Sequence, residues 1–503
     1  MDTTLRDGEQ TPHVAYTPTE KLQIASVLLG EVCVDRIEVA SAGASAGERE
    51  AVELIASWAC SADLIERVEV LGFCDHGRSP NWIADCGARR MNLLTKGSEM
   101  HCRLQLAKTP AEHFADIEAS VRAAESCGVV TAGAYLEDFS RGFSVCPGYV
   151  LELTRCLLGA GVQRIFLADT LGCLAPRDVA RQVHAMREAF PEACFEFHGH
   201  NDYGLATANA LAAVAAGVCG VHACVNGLGE RAGNTSLCEL IAALHDHTAV
   251  QTSVNEAALC ELARLVERCS GKLLADNAPI IGRDVFTQTA GIHADGDRKG
   301  ELYASRLDPE RFQRKRSYAL GKLAGRASLD QNLDQLGIAP SADERVSLLA
   351  RVVELGDRKA RIEASDLLLL MNDRLLVSSK CVQIIREYTV TVRHDGQTEA
   401  TLVLMLAGRS ARASARADSS HAALGRALHD AAGQLGLVLP MLLEPRVLAV
   451  PAANGGVHFD ATFSITSAYG PTTWVGRDQD PVRAVIVAAE KLLQLSEELS
   501  KNS

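Results

Sequence analysis

Short apolar runs alternate with stretches of helical spacing throughout residues 1–230, and this alternation constrains the fold more than any other feature of the chain. The strand-like runs are residues 36–40, 68–73, 91–95, 131–137, 164–169, 194–200 and 220–226. The helical stretches are residues 18–29, 50–58, 111–126, 149–158, 176–190 and 205–216. Because a repeated strand–helix–strand pattern builds a parallel sheet, the pattern predicts a (β/α)₈ TIM barrel.

Closure of such a barrel needs an eighth strand before the polar segment of residues 2–10. Only Met1 precedes that segment, although polar residues are expected at the carboxyl end of a barrel strand. We therefore expect strand 1 to be truncated and the closure of the barrel to be weakest there.

The rest of the chain has a different pattern. Residues 266–380 are mostly helical, with loops. Residues 381–503 contain two βββα repeats of about 60 residues, with strands at 388–393, 399–406, 411–417, 446–450, 457–466 and 472–475 and helices from Ser420 and Asp480. The predicted domains are a catalytic barrel (1–265), a mainly helical linker region (266–380) and a regulatory allosteric α+β domain (381–503).

The charge balance excludes some classes of partner. The 50 basic and 63 acidic residues give a net charge of −13, which argues against nonspecific binding of nucleic acid or of an anionic membrane. The sequence shows no signal peptide and no membrane span. None of the 16 cysteines are spaced as CxxC, so we expect reduced thiols in a cytoplasmic protein.

A pair of histidines marks the candidate site. His198 and His200 end the strand at residues 194–200, and alternate residues of a strand face the same side. The carboxyl ends of barrel strands are where barrel active sites lie. Oxygen ligand candidates at or after other strand ends are Asp7, Glu137, Asp169 and Asn234. Imidazole and oxygen ligands together suit Mn²⁺, Zn²⁺ or Co²⁺ and tolerate Mg²⁺.

Two motifs offer rival interpretations. Residues 43–47 match G-x-S-x-G after a strand, the nucleophile-elbow pattern of α/β-hydrolases, which makes Ser45 a candidate nucleophile of a different enzyme class. Residues 227–233 are spaced GxGxxxG and follow the last strand of the barrel, which is the wrong place for a dinucleotide-binding loop.

Three long motifs resemble those of one family. Residues 2–10 (DTTLRDGEQ), 198–202 (HGHND) and 226–235 (NGLGERAGNT) resemble motifs of the 2-isopropylmalate, homocitrate and citramalate synthases. The βββα repeats resemble the amino-acid-sensing domain of that family. Segments 92–98, 135–138 and 284–291 are most similar to the citramalate synthases.

The resemblance implies a Claisen condensation of acetyl-CoA with a 2-oxoacid, then thioester hydrolysis. A divalent metal held by Asp7, His198, His200 and Asn234 would chelate the oxoacid. Arg6 would stabilise the developing alkoxide and Thr170 would bind the substrate carboxylate. Glu137 would be the general base that removes a proton from the acetyl methyl group.

The resemblance also implies a substrate and partners. Leu71, Leu94 and Tyr135 would form a tight apolar pocket around the methyl group of pyruvate, which favours (R)-citramalate as the product and a place in isoleucine biosynthesis. His293, Asp295 and Tyr303 would reach the acyl-CoA from the partner subunit of a homodimer, with His293 and Tyr303 in catalysis. Glu301 departs from the asparagine expected beside Tyr303.

Three alternatives remain open at this point. Another 2-oxoacid, above all 2-oxoisovalerate, would make the chain a 2-isopropylmalate synthase. A serine hydrolase would use Ser45. A catalytically inactive sensor would bind only an amino-acid effector such as isoleucine or leucine.

Overall fold

The computed structural model describes residues 1–300, 302–357, 362–364, 366–371, 384–406, 408–437, 439, 446–451, 457–467 and 470–501. The chain forms two compact units, Met1–Phe286 with Ser305–Lys315 and Thr287–Ala304 with Arg316–Ser503. The predicted boundary after residue 265 lies within the helix Leu259–Ser270. The predicted boundary after residue 380 lies outside the described residues. Both boundaries stay predictions.

The first unit is built around a parallel sheet. Its strands are β1 (Ile37–Ser41), β2 (Val68–Phe73), β3 (Arg90–Lys96), β4 (Val130–Glu137), β5 (Arg164–Asp169), β6 (Cys194–Gly199) and β7 (Gly220–Val221). Each strand pairs in parallel with the next along the chain. The predicted (β/α)₈ TIM barrel is confirmed.

The first three residues close the barrel. Asp2 forms parallel bridges to Ile37 on one side and to Ala223 on the other. The amide of Asp2 donates to the carbonyl of Arg36 (2.8 Å), and the amide of Thr3 donates to that of Ala223 (2.9 Å). Strand 1 is thus as short as the sequence predicted, yet it bonds to both neighbours.

The strand predicted at residues 220–226 is too long. β7 ends at Val221, and a 3-10 helix follows at Val225–Gly227. Asn226 has a left-handed backbone with φ of 59°, which extended pairing does not allow. The chain therefore turns away from the sheet before the glycine-rich loop begins.

Helices surround the sheet. They are α1 (Pro18–Gly30), α2 (Ala46–Ser61), α3 (Arg78–Asp85), α4 (Glu99–Leu104), α5 (Pro110–Ser126), α6 (Phe139–Val145), α7 (Pro147–Gly159), α8 (Pro176–Ala189), α9 (Ala206–Ala215), α10 (Leu237–His247) and α11 (Leu259–Ser270). α1 begins at a capping box of Thr17 and Glu20, with Pro18 at the first helical position. Of these helices, α3, α4 and α6 follow strand ends and were not predicted, because they are too short to show a helical period.

His113 of α5 links the helix layer to the sheet and makes stability depend on pH. Its Nε2 accepts a hydrogen bond from the amide of Lys96 (3.2 Å), and burial lowers its pKa from 6.5 to about 4. The unfolded chain therefore binds a proton in a pH range where the folded chain does not, so stability falls as pH drops from about 6.5 to about 4.

Over that pH range the wild type should lose roughly 3 kcal/mol of unfolding free energy through protonation of His113. His113→Gln lacks the titrating group, so we expect it not to show this loss. Urea unfolding at the two ends of the range measures the difference. His184→Gln, on the exposed face of α8, is the matched control and should follow the wild type. Equal acid dependence in the wild type and His113→Gln would contradict the assignment.

The second unit contains helices and antiparallel sheets. Before residue 372 it has α12 (Gly291–Arg298), α13 (Arg326–Gln335), α14 (Ala342–Asp357) and α15 (Asp366–Met371), and β8 (Thr287–Gln288) pairs with β9 (Ser317–Tyr318). The C-terminal repeats are β10 (Ile385–Val392), β11 (Thr398–Leu406), β12 (Arg409–Ala417) and α16 (Ser420–Gln434), then β13 (Arg446–Pro451), β14 (Val457–Ser467), β15 (Gly470–Asp478) and α17 (Pro481–Lys501). The two predicted βββα repeats are therefore present. In the part of the chain that the structure describes, no helix combines the length and apolarity needed to cross a bilayer.

Candidate active site and metal centre

A cavity of about 200 Å³ lies at the carboxyl ends of the barrel strands. It is lined by Arg6, Asp7, Gln10, Ser41, Leu71, Phe73, Leu94, Tyr135, Glu137, Ala168, Thr170, His198, His200 and Glu230. All of the barrel residues that the sequence predicted to bind the substrate or to act in catalysis line this cavity. Three of the four predicted metal ligands line it as well. The structure therefore brings together side chains that are up to 224 positions apart in the chain, from Arg6 to Glu230.

Asp7, His198 and His200 form a buried cluster that fits a metal ion. One ligand atom from each residue lies within 4.8 Å of the others. Nε2 of His198 is 3.1 Å from Oδ2 of Asp7, and Nε2 of His200 is 4.0 Å from the same oxygen. Because β6 is extended, the two imidazoles project to the same side of the sheet, as predicted.

The electrostatics of the cluster suit a cation. Burial by itself raises the pKa of Asp7, but the charge of Arg6 and the hydrogen bond from His198 outweigh it and hold this pKa well below its ordinary value. Burial and the neighbouring His198 lower the pKa of His200 to about 4. An ionised carboxylate and a neutral imidazole are the protonation states in which these groups bind metals.

Asn234 lies beside the cluster. It forms an antiparallel bridge with His200. Its Nδ2 donates to the carbonyl of Leu228 (3.0 Å), and its buried Oδ1 has no hydrogen-bond partner within the described residues. Oδ1 of Asp7 is likewise buried and without a donor there. Such orphaned oxygens are satisfied when a cation binds, which supports Asn234 as a fourth ligand.

The glycine-rich loop explains how Asn234 is held. At Gly229, where φ is 152°, a Cβ would lie 2.2 Å from Nδ2 of Asn234. At Gly233, where φ is 88°, a Cβ would lie 1.9 Å from the carbonyl oxygen of Gly227. Glycine is needed at both positions for steric reasons, so close packing of the loop explains these two glycines of the motif.

Arg6 is fixed from two sides. Its Nε donates to Oε2 of Glu38 (2.6 Å), and its Nη2 donates to the hydroxyl of Tyr135 (2.9 Å). Nη1 lies 3.3 Å from Oδ2 of Asp7. The guanidinium is therefore held beside the metal cluster, where negative charge can be stabilised.

Leu71, Leu94 and Tyr135 meet in a small apolar cluster separate from the main core. Leu71 and Tyr135 are buried with Phe166 and Ala168, and Leu94 packs against them. The Tyr135 ring packs edge-on against Phe166, with centroids 4.8 Å apart, and the hydroxyl donates to Glu38 (2.9 Å). Burial and the Glu38 carboxylate raise the pKa of Tyr135 well above its ordinary value, so its hydroxyl stays protonated.

Glu137 and Thr170 lie at the mouth of the cavity. Glu137 ends β4 and forms an ion pair with Lys96 of β3. Oγ1 of Thr170 accepts a hydrogen bond from the amide of Asp138 (2.8 Å). Arg231 donates to the carbonyl of Thr170 (2.6 Å), which ties the glycine-rich loop to the loop after β5.

Asp169, the other oxygen-ligand candidate, accepts hydrogen bonds from the amides of Cys173 and Leu174. The residues predicted to reach the acyl-CoA lie in the second compact unit. The rings of His293 and Tyr303 are 4.2 Å apart between centroids. Asp295, one helical turn before Lys299, accepts a hydrogen bond from its ammonium group (2.6 Å). Glu301 lies outside the described residues. The structure thus groups His293 with Tyr303, and their roles toward acyl-CoA stay predictions.

Ser45 does not have the geometry of a nucleophile elbow. Its backbone is extended, with φ of −158° and ψ of 171°, whereas the elbow is a strained turn. Its Oγ accepts a hydrogen bond from the amide of Glu48 (3.1 Å). Ser45 is therefore the N-cap of α2, which explains the motif without hydrolase chemistry.

A buried polar network beneath the cavity was missed from the sequence. Nε2 of His222 lies 3.0 Å from Oε2 of Glu196, and Nδ1 lies 3.3 Å from the Tyr135 hydroxyl. Burial lowers the pKa of His222 to about 3, so the ring is neutral. Nδ2 of Asn92 donates to Oε1 of Glu38 (2.8 Å). The sequence does contain a sign of this network, namely polar residues within strands predicted to be buried. Such residues need a partner, because an unpaired polar group is costly in the interior.

Two protein families match successive parts of the chain. The HMGL-like family matches residues 1–266, and the family described as homocitrate synthase post-HMGL domain-like matches residues 280–360. Three similar proteins come from Methanopyrus kandleri. A putative (R)-citramalate synthase, CimA, is 34% identical over 436 residues, which are 86% of this chain and 84% of the relative. A probable 2-isopropylmalate synthase is 34% identical over 93% of this chain and 90% of its own. The homocitrate synthase AksA is 33% identical over 73% of this chain and 89% of its own.

Proposed function

The chain belongs to the HMGL-like family, and from that premise we propose that it condenses acetyl-CoA with pyruvate to give (R)-citramalate and CoA. Its relatives are synthases, so the chain is an enzyme of the acyltransferase type. In the proposed reaction a carbon–carbon bond forms between the acetyl methyl carbon and the keto carbon of pyruvate. Water then cleaves the thioester and releases CoA.

The observation that carries the substrate assignment is the closed apolar wall next to Arg6 and the metal cluster. Leu71 and Tyr135 are 4% and 3% exposed, and Leu94 packs against both. A methyl group fits against such a wall. A branched side chain would clash with it, and a second carboxylate would be buried there without a partner.

Each proposed step of the reaction is assigned to a residue of the cavity. Glu137 takes a proton from the acetyl methyl group. Arg6 stabilises the negative charge that develops on the keto oxygen, and the hydroxyl of Thr170 donates to the substrate carboxylate. A divalent cation held by Asp7, His198, His200 and Asn234 would supply Lewis acidity at the keto group.

The reaction is tested by supplying the purified protein with Mn²⁺, acetyl-CoA and pyruvate. Free thiol and product mass are followed together. Equal amounts of CoA and citramalate support the proposal. Thiol release without citramalate would point to simple thioester hydrolysis and contradict it.

A second candidate is 2-isopropylmalate synthase, which acts on 2-oxoisovalerate. The observation in its favour is that relatives named for citramalate and for 2-isopropylmalate are both 34% identical to this chain. Overall identity therefore does not separate the two substrates, and the apolar pocket wall is the observation that supports pyruvate. The inactive sensor is less well supported, because Asp7, His198 and His200 lie together with Arg6 at one cavity.

Leu94→Ala is expected to widen the pocket and relax its specificity. Removing part of the wall should raise the ratio of kcat/KM for 2-oxoisovalerate to that for pyruvate by at least about tenfold, the discrimination given by a methylene group or more. Leu93→Ala is the matched control, because Leu93 on the same strand faces the main core. If both variants changed the ratio equally, the change would reflect general loosening and the assigned wall would be wrong.

We also propose a homodimer in which His293, Asp295 and Tyr303 reach the acyl-CoA bound by the partner subunit. His293 and Tyr303 would assist catalysis, and Asp295 would contact the CoA. The C-terminal repeats would bind isoleucine or leucine as an allosteric effector, and (R)-citramalate as the product would give the enzyme a role in isoleucine biosynthesis.

A further inference from the structure

Lys96 is a buried cation that the proposed chemistry leaves without a role. Its side chain is only 9% exposed and forms an ion pair with Oε2 of Glu137, whose side chain is 23% exposed. The two residues are direct partners in the register of β3 and β4. Side chains at paired positions of adjacent strands lie on the same face of the sheet, so the contact follows from the register.

The backbone around Lys96 is fixed from several directions. Its amide donates to Nε2 of His113 (3.2 Å), and its carbonyl accepts from the hydroxyl of Tyr149 (2.8 Å). The next amide, that of Gly97, donates to the carbonyl of Glu137 (2.7 Å). The main chain is therefore held at both residues, which fixes the positions from which the two side chains reach each other.

The ion pair has a definite orientation relative to the cavity. Glu137 lines the cavity, whereas Lys96 does not. The ammonium group contacts Oε2 of the carboxylate. The other oxygen, Oε1, has no hydrogen-bond partner within the described residues, which leaves it available to a substrate.

We propose that Lys96 is a positioning residue that aims Oε1 of Glu137 at the acetyl methyl group of acetyl-CoA. The inference rests on the proposed condensation. Oε1 receives the methyl proton, and the electron pair of the broken C–H bond forms the new bond to the keto carbon, whose own π pair moves to the oxygen. Lys96 keeps its proton throughout and touches neither substrate.

Lys96→Met tests the proposal, since it keeps the length of the side chain and removes the charge. We expect kcat to fall by about a hundredfold, the cost of a misplaced reacting group, with an unchanged KM for acetyl-CoA. The kinetic isotope effect with trideuterated acetyl-CoA should rise, because proton removal becomes more rate-limiting. In a Glu137→Gln background Lys96→Met should have no further effect, because the group that it positions is already lost.

Lys108→Met is the matched control. Lys108 also forms an ion pair, with Asp116, and lies outside the cavity lining. It should keep the wild-type rate and isotope effect. If Lys96→Met does not fold, Lys96→Gln provides the same comparison with a polar replacement.

A raised KM for acetyl-CoA with unchanged kcat and isotope effect would overturn the proposal, because Lys96 would then bind the acyl-CoA itself. A further hundredfold loss in the Glu137→Gln background would overturn it as well. Failure of the wild type to form citramalate would refute the proposed function, whereas an active wild type with an equally active Lys96→Met would refute only the role of Lys96.

Discussion

His198→Ala is expected to lower kcat/KM for CoA release from acetyl-CoA and pyruvate by about a thousandfold. Lewis-acid stabilisation by a bound metal is worth several kcal/mol, and each 1.4 kcal/mol corresponds to roughly a factor of ten. Loss of one imidazole removes one of the four proposed protein ligands and should weaken binding of the cation. The expected effect is therefore on metal affinity as well as on rate.

Two measurements separate these effects. Titration calorimetry with Mn²⁺ measures binding to the protein without substrate, and the thiol assay measures turnover. His184→Ala, on the exposed face of α8, is the matched control and should bind and react as the wild type does. Unchanged Mn²⁺ affinity in His198→Ala would contradict the assignment of the cluster as the metal site, whatever the rate.

Glu38→Ala is expected to lower the free energy of unfolding by about 3–5 kcal/mol, the range for breaking a buried charge pair by removing one partner. Glu38 is fully buried and accepts hydrogen bonds from Arg6, Tyr135 and Asn92. Its removal leaves the guanidinium of Arg6 with less compensation in the barrel interior. Because the same bonds fix Arg6 beside the cavity, turnover should fall together with stability.

Urea unfolding measures the effect of Glu38→Ala. Glu53→Ala is the control, since Glu53 is 48% exposed and pairs with Arg49 on the surface of α2. Exposed pairs of this kind contribute about 0.5 kcal/mol or less. A loss below about 1 kcal/mol in Glu38→Ala would show that the network compensates and that Glu38 does not fix Arg6.

The barrel and its metal cluster were predictable because their signals are local. The extended run of β6 and the alternation from His198 to His200, which directly follows the strand, are both visible in the local sequence. Asp7 was predictable from a motif, and the bridges of Asp2 show that even a strand of a few residues can close the sheet.

The residues that support the site were not predictable, because their partners are far apart in the chain. Glu38 is 97 positions from Tyr135, and Lys96 is 41 positions from Glu137. Strand register pairs Lys96 with Glu137, whereas Glu38 and Tyr135 lie on β1 and β4, which are not adjacent, and meet only because the sheet closes into a barrel. Polar residues inside buried strands show only that a partner exists, without showing which residue it is.

Ser45 shows that a short motif can predict a site that the structure does not contain. Five residues matched a hydrolase pattern, yet the serine caps a helix at the first turn after β1. Serine before an acidic residue three positions later is also a helix-start pattern, and here the local interpretation explains every contact of the side chain that the structure shows.

The central claim is that the pocket bounded by Leu71, Leu94 and Tyr135 selects pyruvate for condensation with acetyl-CoA. It is tested most directly by the ratio of kcat/KM for pyruvate to kcat/KM for 2-oxoisovalerate, measured on the Mn²⁺-loaded wild type. The proposal predicts a ratio of at least about one hundred, as expected when two extra methyl groups meet a closed wall. A ratio below one would contradict it.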